Sequence, residues 1–362
     1  IDAVGNLRAF YPGADPAAPR LLIGSHLDTV PNAGVYDGML GVVLAITLLE
    51  ELGGKRLPFG IEIIGFSEEE GVRFGVPFIG SRALVGKLDE ELLARRDAKG
   101  ITVREAIRQF GLDDRRIEEA VIGEDALGYI EFHIEQGPVL EKLERQLGVV
   151  EAIVGQTRLA LRFLGRANHA GTTPMDARND ALACAAEWMT GVETRAKENP
   201  GLAATVGSIE AKPGATNVIP GEVRLTLDVR HKHDETRSRF VHEFIGLAKE
   251  ISGKRGISLQ WNALLEQNAV ALNPFLTDQI DKAIRNSGCE PYRMNSGAGH
   301  DAMILAERIP SAMIFLRSPG GISHDPSETV LQNDVTRAID CGVHLLTQLA
   351  SSQKFLGRMC RA

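Results

Sequence analysis

Cysteine is scarce in this chain: Cys184, Cys289, Cys341 and Cys360 are the only four in 362 residues, and no two are spaced as a pair. That excludes a disulfide framework and a zinc finger, and it reads as thiols kept reduced in the cytoplasm. Long apolar runs are missing too. No stretch reaches the roughly twenty residues that span a bilayer, so a membrane-embedded protein is not expected. Basic residues are in deficit, with a formal charge of −8. A nucleic-acid partner would need a basic face, and none is expected here. There is no internal repeat and no low-complexity segment. The chain also lacks an initial Met. It begins Ile1-Asp2-Ala3-Val4-Gly5-Asn6-Leu7, which reads like the middle of a domain, so residues upstream are expected and a targeting segment stays open.

Hydrophobic residues make up 44% of the chain and charged residues 24%, the balance of a globular protein long enough for about two domains. Leu21-Leu22-Ile23-Gly24-Ser25-His26-Leu27-Asp28 is an apolar run that reads as a buried strand, ending in a His and an Asp two apart. Asp37-Gly38 follows. A second buried run, Ile61 to Ser67, ends in Glu68-Glu69-Glu70-Gly71. Neighbouring strands then bring imidazoles and carboxylates to one edge of a sheet, the carboxyl edge where open α/β sheets bind ligands. Such nitrogen and oxygen donors suit zinc, manganese or cobalt. Solvated charge at strand ends accounts for one acid but not for the set.

The order of elements predicts an α/β fold. Helix 41–52 lies between strands 21–23 and 61–66, a charged helical stretch follows at 90–120, and strand 129–134 ends in His133-Ile134-Glu135-Gln136-Gly137. From about Thr157 the texture changes to period-two strands, 157–163 and 223–230, with helix 180–196 between them and helix 235–252 before the next strand. The expected architecture is a helix-covered, mostly parallel catalytic sheet built from 1–157 plus 268–362. An inserted, smaller α+β domain occupies 158–267, and the catalytic alternation resumes after Asn273-Pro274 with strand 312–316.

Six strings then occur in order: Gly24-Ser25-His26-Leu27-Asp28, Tyr36-Asp37-Gly38, Glu68 to Phe74, His133 to Gly137, Asn168-His169-Ala170-Gly171-Thr172-Thr173-Pro174-Met175, and Ser323-His324-Asp325. Together they resemble the hydantoinase/carbamoylase branch of the M20 metallopeptidase-like amidohydrolases, over nearly the whole chain. That branch holds N-carbamoyl-L-amino acid hydrolases, allantoate amidohydrolases and β-ureidopropionases. Small departures, Asn32-Ala33-Gly34 and Tyr36, touch no expected ligand.

The resemblance implies two divalent ions (zinc, manganese, cobalt or nickel) about 3.5 Å apart and bridged by Asp37. One ion would also take Glu69 and His324, the other His26 and His133. Asp28 and Gln136 would support these ligands from behind, Asp28 by orienting the His26 ring. Glu68 would be the general base, with Glu70 a bystander. From the inserted domain, His169 would stabilise the tetrahedral intermediate, Asn217 would hold substrate, and Arg230 would clamp its carboxylate unless it is tied up in a surface ion pair. Gln156 is a further polar contact, and His300 is either a substrate contact or structural. His231, His233, His242 and His344 carry no motif.

The implied reaction is hydrolysis of the ureido C–N bond of an N-carbamoyl-L-amino acid or of allantoate, with release of ammonia. The inserted domain is expected to pair two chains into a homodimer. An M20 aminoacylase or dipeptidase is the alternative, although His133 stands where those enzymes usually carry a carboxylate. A non-catalytic binding module on this fold is a further alternative, although no expected ligand is missing.

Overall fold

The computed structural model describes residues 1–357, and the chain divides into two compact units: Ile1–Ile153 with the segment from Ala271 onward, and Val154–Val270. The larger unit is built on one sheet. Its strands β1 (Leu7–Tyr11), β2 (Arg20–His26), β3 (Gly60–Phe66), β4 (Ala126–Ile134) and β5 (Leu147–Ile153) combine with Ser311–Leu316 in the order β1, β3, β2, β4, Ser311–Leu316, β5. The inner pairs β3–β2, β2–β4 and β4 with Ser311–Leu316 are parallel. β1 is antiparallel to β3, and β5 is antiparallel to Ser311–Leu316. β1, β5 and Tyr292–Ser296 have no expectation from sequence; the last two pair in parallel.

A mostly parallel sheet is buried on both faces, which is why β2 and β3 are continuous apolar runs. Leu21, Leu22, Ile23, Ile61 and Ile64 are all exposed by 1% or less, and each contributes roughly 1.5–3 kcal/mol by leaving water. Helix α1 (Met39–Glu51) lies against this sheet through Leu40, Leu44, Ala45 and Leu48, which share a core with β2 and β3. The stretch 90–120 is broken into helices Glu90–Leu93 and Val103–Gln109 and the 3-10 turn Asp114–Ala120. The break has a local cause. Asp97 Oδ1 accepts the backbone N–H groups of Lys99 and Ile101, which makes a turn, and a Thr102/Glu105 capping box then starts a fresh helix.

The smaller unit is a four-stranded antiparallel sheet in the order Ser258–Gln267, β6 (Gly155–Leu164), Glu222–His231, Ala203–Lys212. Helices Ala181–Lys197 and Asp234–Lys254 cover one face. The alternation in β6 and Glu222–His231 sends Leu159, Leu161, Phe163, Val223, Leu225, Leu227 and Val229 into the helix-facing core around Trp188. Trp188 Nε1 donates to the Phe244 carbonyl at 2.8 Å, so the buried indole leaves no polar atom unpaired.

Among the described residues Cys184, Cys289 and Cys341 are buried free thiols; Cys360 lies outside them. No described helix is long and apolar enough to cross a membrane.

Candidate metal centre

Four parallel strands run side by side, and the groups singled out from the sequence leave from their carboxyl ends. His26 is the last residue of β2 and His133 lies one before the end of β4; Glu68–Glu70 follow β3, and His324 follows Ser311–Leu316. Asp37 sits in the loop that leads from β2 into α1. Gly38 caps that helix with φ 71°, and a Cβ there would stand 2.4 Å from the His26 ring, so no other residue fits without displacing the imidazole.

Three donor atoms converge around Asp37 Oδ1. His26 Nε2 is 3.3 Å from it, His133 Nε2 is 3.1 Å from it, and the two nitrogens are 3.3 Å apart. The other ring nitrogens face backbone carbonyls, His26 Nδ1 that of Asp28 at 2.8 Å and His133 Nδ1 that of Ile134 at 2.9 Å. A carbonyl only accepts, so both Nδ1 atoms carry the proton and both Nε2 lone pairs point at a carboxylate oxygen and at each other. That arrangement is repulsive unless protons or a metal ion lie between them. Donors about 2.0–2.1 Å from a four-coordinate ion stand about 3.3 Å apart, which matches the three separations.

The other oxygen of Asp37 faces a second set. His324 Nε2 is 3.2 Å from Asp37 Oδ2 and 3.6 Å from Glu70 Oε1. Glu70 Oε1 is buried with no hydrogen-bond donor, as an oxygen reserved for a cation would be. Donor atoms of Asp37, Glu70 and His324 lie within 4.8 Å of one another, as do those of His26, Glu69 and Glu70.

This geometry corrects the expected use of the three glutamates. Glu70, and not Glu69, stands with His324 and Asp37, and Glu68 belongs to no group that could hold an ion. Glu68 turns the chain with φ 54°, after which Asp28 Oδ1 and Oδ2 accept the backbone N–H groups of Glu69 and Glu70 at 3.0 and 3.1 Å. This turn decides which side chains face the centre. Asp28 meets the His26 ring through its backbone and not its side chain. Its carbonyl orients the His26 ring, while its carboxylate, 3.9 Å from Nδ1, holds the glutamate turn. Gln136 Nε2 donates to Asp37 Oδ2 at 2.8 Å, so it touches the bridge directly.

Proton affinities record the crowding. Burial and the neighbouring acids Asp301 and Glu70 push Glu69 well above the usual carboxylate range, and burial and Asp37 raise Glu70. Burial is the largest influence on His26 and His133 and disfavours their charge, yet the hydrogen bond to Asp37 and the charges of the neighbouring acids together outweigh it and raise both. Burial works against ionised Asp37, but the two imidazoles hold it far below the usual range. The centre binds protons where a divalent ion would serve the same charges.

His300 is buried against the centre. It is 1% exposed, packs edge-on against His133 with ring centroids 4.5 Å apart, and pairs its Nε2 with Ser296 Oγ at 2.8 Å. Burial and His133 hold its basicity well below an ordinary imidazole. Its Gly-rich loop left a substrate contact and a structural role both open; the ring fills space behind His133.

The remaining expected residues lie in the smaller unit. His169 belongs to a two-residue strand paired with Val218–Ile219, and Ala170 N–H donates to the Asn217 carbonyl, so the His169 and Asn217 loops are adjacent. Gly171 and Thr172 both donate backbone N–H groups to His169 Nδ1 at 3.1 Å. That nitrogen is therefore an acceptor, and the ring's proton is on Nε2. Gln156 and Arg230 are register partners on adjacent strands. Arg230 forks onto Asp228 at 2.8 and 3.1 Å, and Gln156 Nε2 donates to Gln267 Oε1 at 2.6 Å.

Asp301, Glu131 and Glu328 are buried acids near the centre that were not expected. Glu131, within β4, accepts from Ser25 Oγ at 3.1 Å and from Ala302 N–H at 2.9 Å. An acid inside an otherwise apolar strand is a legible signal. Glu328, 5% exposed, accepts the N–H groups of Tyr36 and Asp37, and nothing in its sequence surroundings marks it.

A mostly parallel sheet with this His/Asp/Glu centre at its carboxyl edge defines a class, and comparison with known proteins agrees: the chain belongs to peptidase family M20/M25/M40, matched over residues 22–349. It is 37% identical to an N-carbamoyl-L-amino acid amidohydrolase of Geobacillus stearothermophilus, across 97% of this chain and 87% of that protein. It is 38% identical to a probable allantoate deiminase of Oryza sativa subsp. japonica, across 93% and 76%. The structure is similar to that of a hydantoinase/carbamoylase family amidase from Burkholderia multivorans, with TM-score 0.91 and 30% identity over 99% of this chain and 86% of the other.

Proposed function

We propose that this chain is a metal-dependent amidohydrolase that cleaves the ureido C–N bond of an N-carbamoyl-L-amino acid or of allantoate and releases ammonia. The observation that carries this reading is the Asp37 carboxylate, with His26 and His133 on one oxygen and His324 on the other. A carboxylate used on both sides suits two divalent ions, the first with His26 and His133, the second with His324 and Glu70. Zinc, manganese, cobalt and nickel all suit these donors. When bound, the ions would acidify water and draw electron density from the ureido carbonyl.

The protein's own groups do the rest. Glu69, buried beside His26 and Glu70, accepts the proton of the attacking water and returns it to the leaving nitrogen. Its raised proton affinity suits a group that must take up and deliver a proton near neutral pH. His169 presents Nε2–H to the developing oxyanion as a neutral donor, since Nδ1 is committed to two backbone N–H groups. Asn217 holds the substrate amide. Arg230 exchanges Asp228 for the substrate carboxylate, with Gln156 beside it. The smaller unit leaves Ala203–Lys212 and Ser258–Gln267 as sheet edges, which supports pairing of this unit across a two-fold homodimer. Its free, buried thiols fit a cytoplasmic enzyme.

Ammonia release tests the reading. Allantoate, N-carbamoyl-L-amino acids and β-ureidopropionate are each assayed with zinc, manganese, cobalt and nickel, beside N-acetyl-amino acids and dipeptides. Turnover of a ureido acid is expected. Cleavage confined to acetyl-amino acids or dipeptides would move the protein to the aminoacylase and dipeptidase class.

A further inference from the structure

The bridge Asp37 lies in the loop between β2 and α1, outside any strand or helix, so its position must be set by something else. One side chain meets that requirement. Glu328 Oε1 accepts the backbone N–H groups of both Tyr36 and Asp37 at 3.1 Å. Its Oε2 accepts Ser323 Oγ at 3.0 Å, and Ser323 immediately precedes His324. The same hydroxyl lies 3.2 Å from Asp37 Oδ2 and receives Gln136 Nε2 at 3.3 Å. Glu328 and Asp37 are 291 positions apart in sequence. The loop also has no room to shift on this side, because a Cβ on Gly34 would stand 2.4 Å from Glu328 Cβ and 2.6 Å from its Oε1.

We propose that Glu328 is a positioning residue for the metal centre: one carboxylate oxygen sets the backbone of the bridging Asp37, and the other ties that loop, through Ser323, to His324. The inference rests on the proposed metal-dependent function and adds a residue to its machinery. Glu328 touches neither the ions nor the substrate in this scheme. It acts by holding two ligands in register, and outer groups of this kind typically alter metal affinity by about 10 to 100-fold.

Reach and charge are separable by two conservative variants. Glu328→Gln keeps an oxygen for the two N–H groups and an amide that donates to Ser323 Oγ, leaving the hydroxyl free to donate to Asp37, but it removes the charge. Glu328→Asp keeps the charge but is one methylene too short to hold both loops. Chelator-stripped full-length proteins are titrated with Zn²⁺ against a competing chromophoric chelator, and thermal melts of the stripped proteins follow their folding. Positioning predicts that Glu328→Gln binds Zn²⁺ within about threefold of wild type and that Glu328→Asp loses about tenfold or more. A Glu328→Asp protein that binds as tightly as wild type overturns the proposal. So does a Glu328→Gln protein as weak as Glu328→Asp, since the loss would then not follow from reach. If wild type itself takes up no Zn²⁺, the metal-dependent function falls together with this inference, whereas wild-type binding with an unaffected Glu328→Asp removes only the latter.

Discussion

Glu68, Glu69 and Glu70 are chemically identical neighbours, and only the turn at Glu68 separates their tasks. Glu70 reaches His324 and Asp37, while Glu69 is buried beside His26. Glu69→Gln should keep its metal and lose about 10² to 10⁴-fold in kcat, because an amide cannot accept the proton. Glu70→Gln should instead lower metal occupancy, measured by elemental analysis after dialysis. The reverse pattern would exchange the two roles. Proton affinities at the centre lead to a second expectation. His26, His133, Glu69 and Glu70 are all raised, so the metal-free site holds protons at pH values where ordinary side chains have released them. Ligands must be deprotonated to bind an ion, so metal uptake should expel protons and tighten as pH rises toward neutrality. Calorimetry in buffers of different ionisation enthalpy counts the protons; uptake without release would mean that the groups were already deprotonated.

At the scale of elements, the centre exists because four parallel strand ends lie side by side and the loops behind them are held by specific contacts. Asp28 closes the loop after β3 by accepting two N–H groups, and Gly38 lets the chain enter α1 directly against His26. Gly38→Ala must place a side chain at φ 71° and 2.4 Å from the His26 ring. The left-handed conformation alone costs about 1–2 kcal/mol, and the clash displaces a ligand. We expect metal affinity to fall at least tenfold while circular dichroism stays close to wild type, since the apolar contacts of α1 are unchanged. Wild-type affinity in this variant would show that His26 tolerates displacement.

For the whole molecule, the core of the larger unit is built from apolar side chains of the sheet and its helices, with none of the ligand atoms in it. Chelation should therefore abolish turnover and leave far-UV circular dichroism nearly unchanged; activity that survives exhaustive chelation would exclude the proposed chemistry. Two-fold pairing through the smaller unit leads to a further expectation. If Arg230 of one chain serves the metal centre of its partner, mixing inactive His26→Ala and Arg230→Ala proteins creates one intact site in each mixed dimer. Random exchange then restores about a quarter of wild-type sites. Verified exchange with no recovered activity would place Arg230 with its own chain's centre.

Sequence by itself determined β2, β3, β4 and Ser311–Leu316, helix α1, the period-two strands β6 and Glu222–His231 with their helices, and most of the groups that gather at Asp37. Buried strands and amphipathic helices are written in local periodicity, and His26, Asp37, His133 and His324 each stand in a recognisable string. Tertiary structure alone decided which of three glutamates faces the centre, that His300 packs behind His133, and that Glu328 holds the Asp37 loop. These depend on a left-handed turn, on ring packing and on hydrogen bonds between residues hundreds of positions apart. No local pattern encodes such contacts, because they arise only when distant strand ends are brought to one edge.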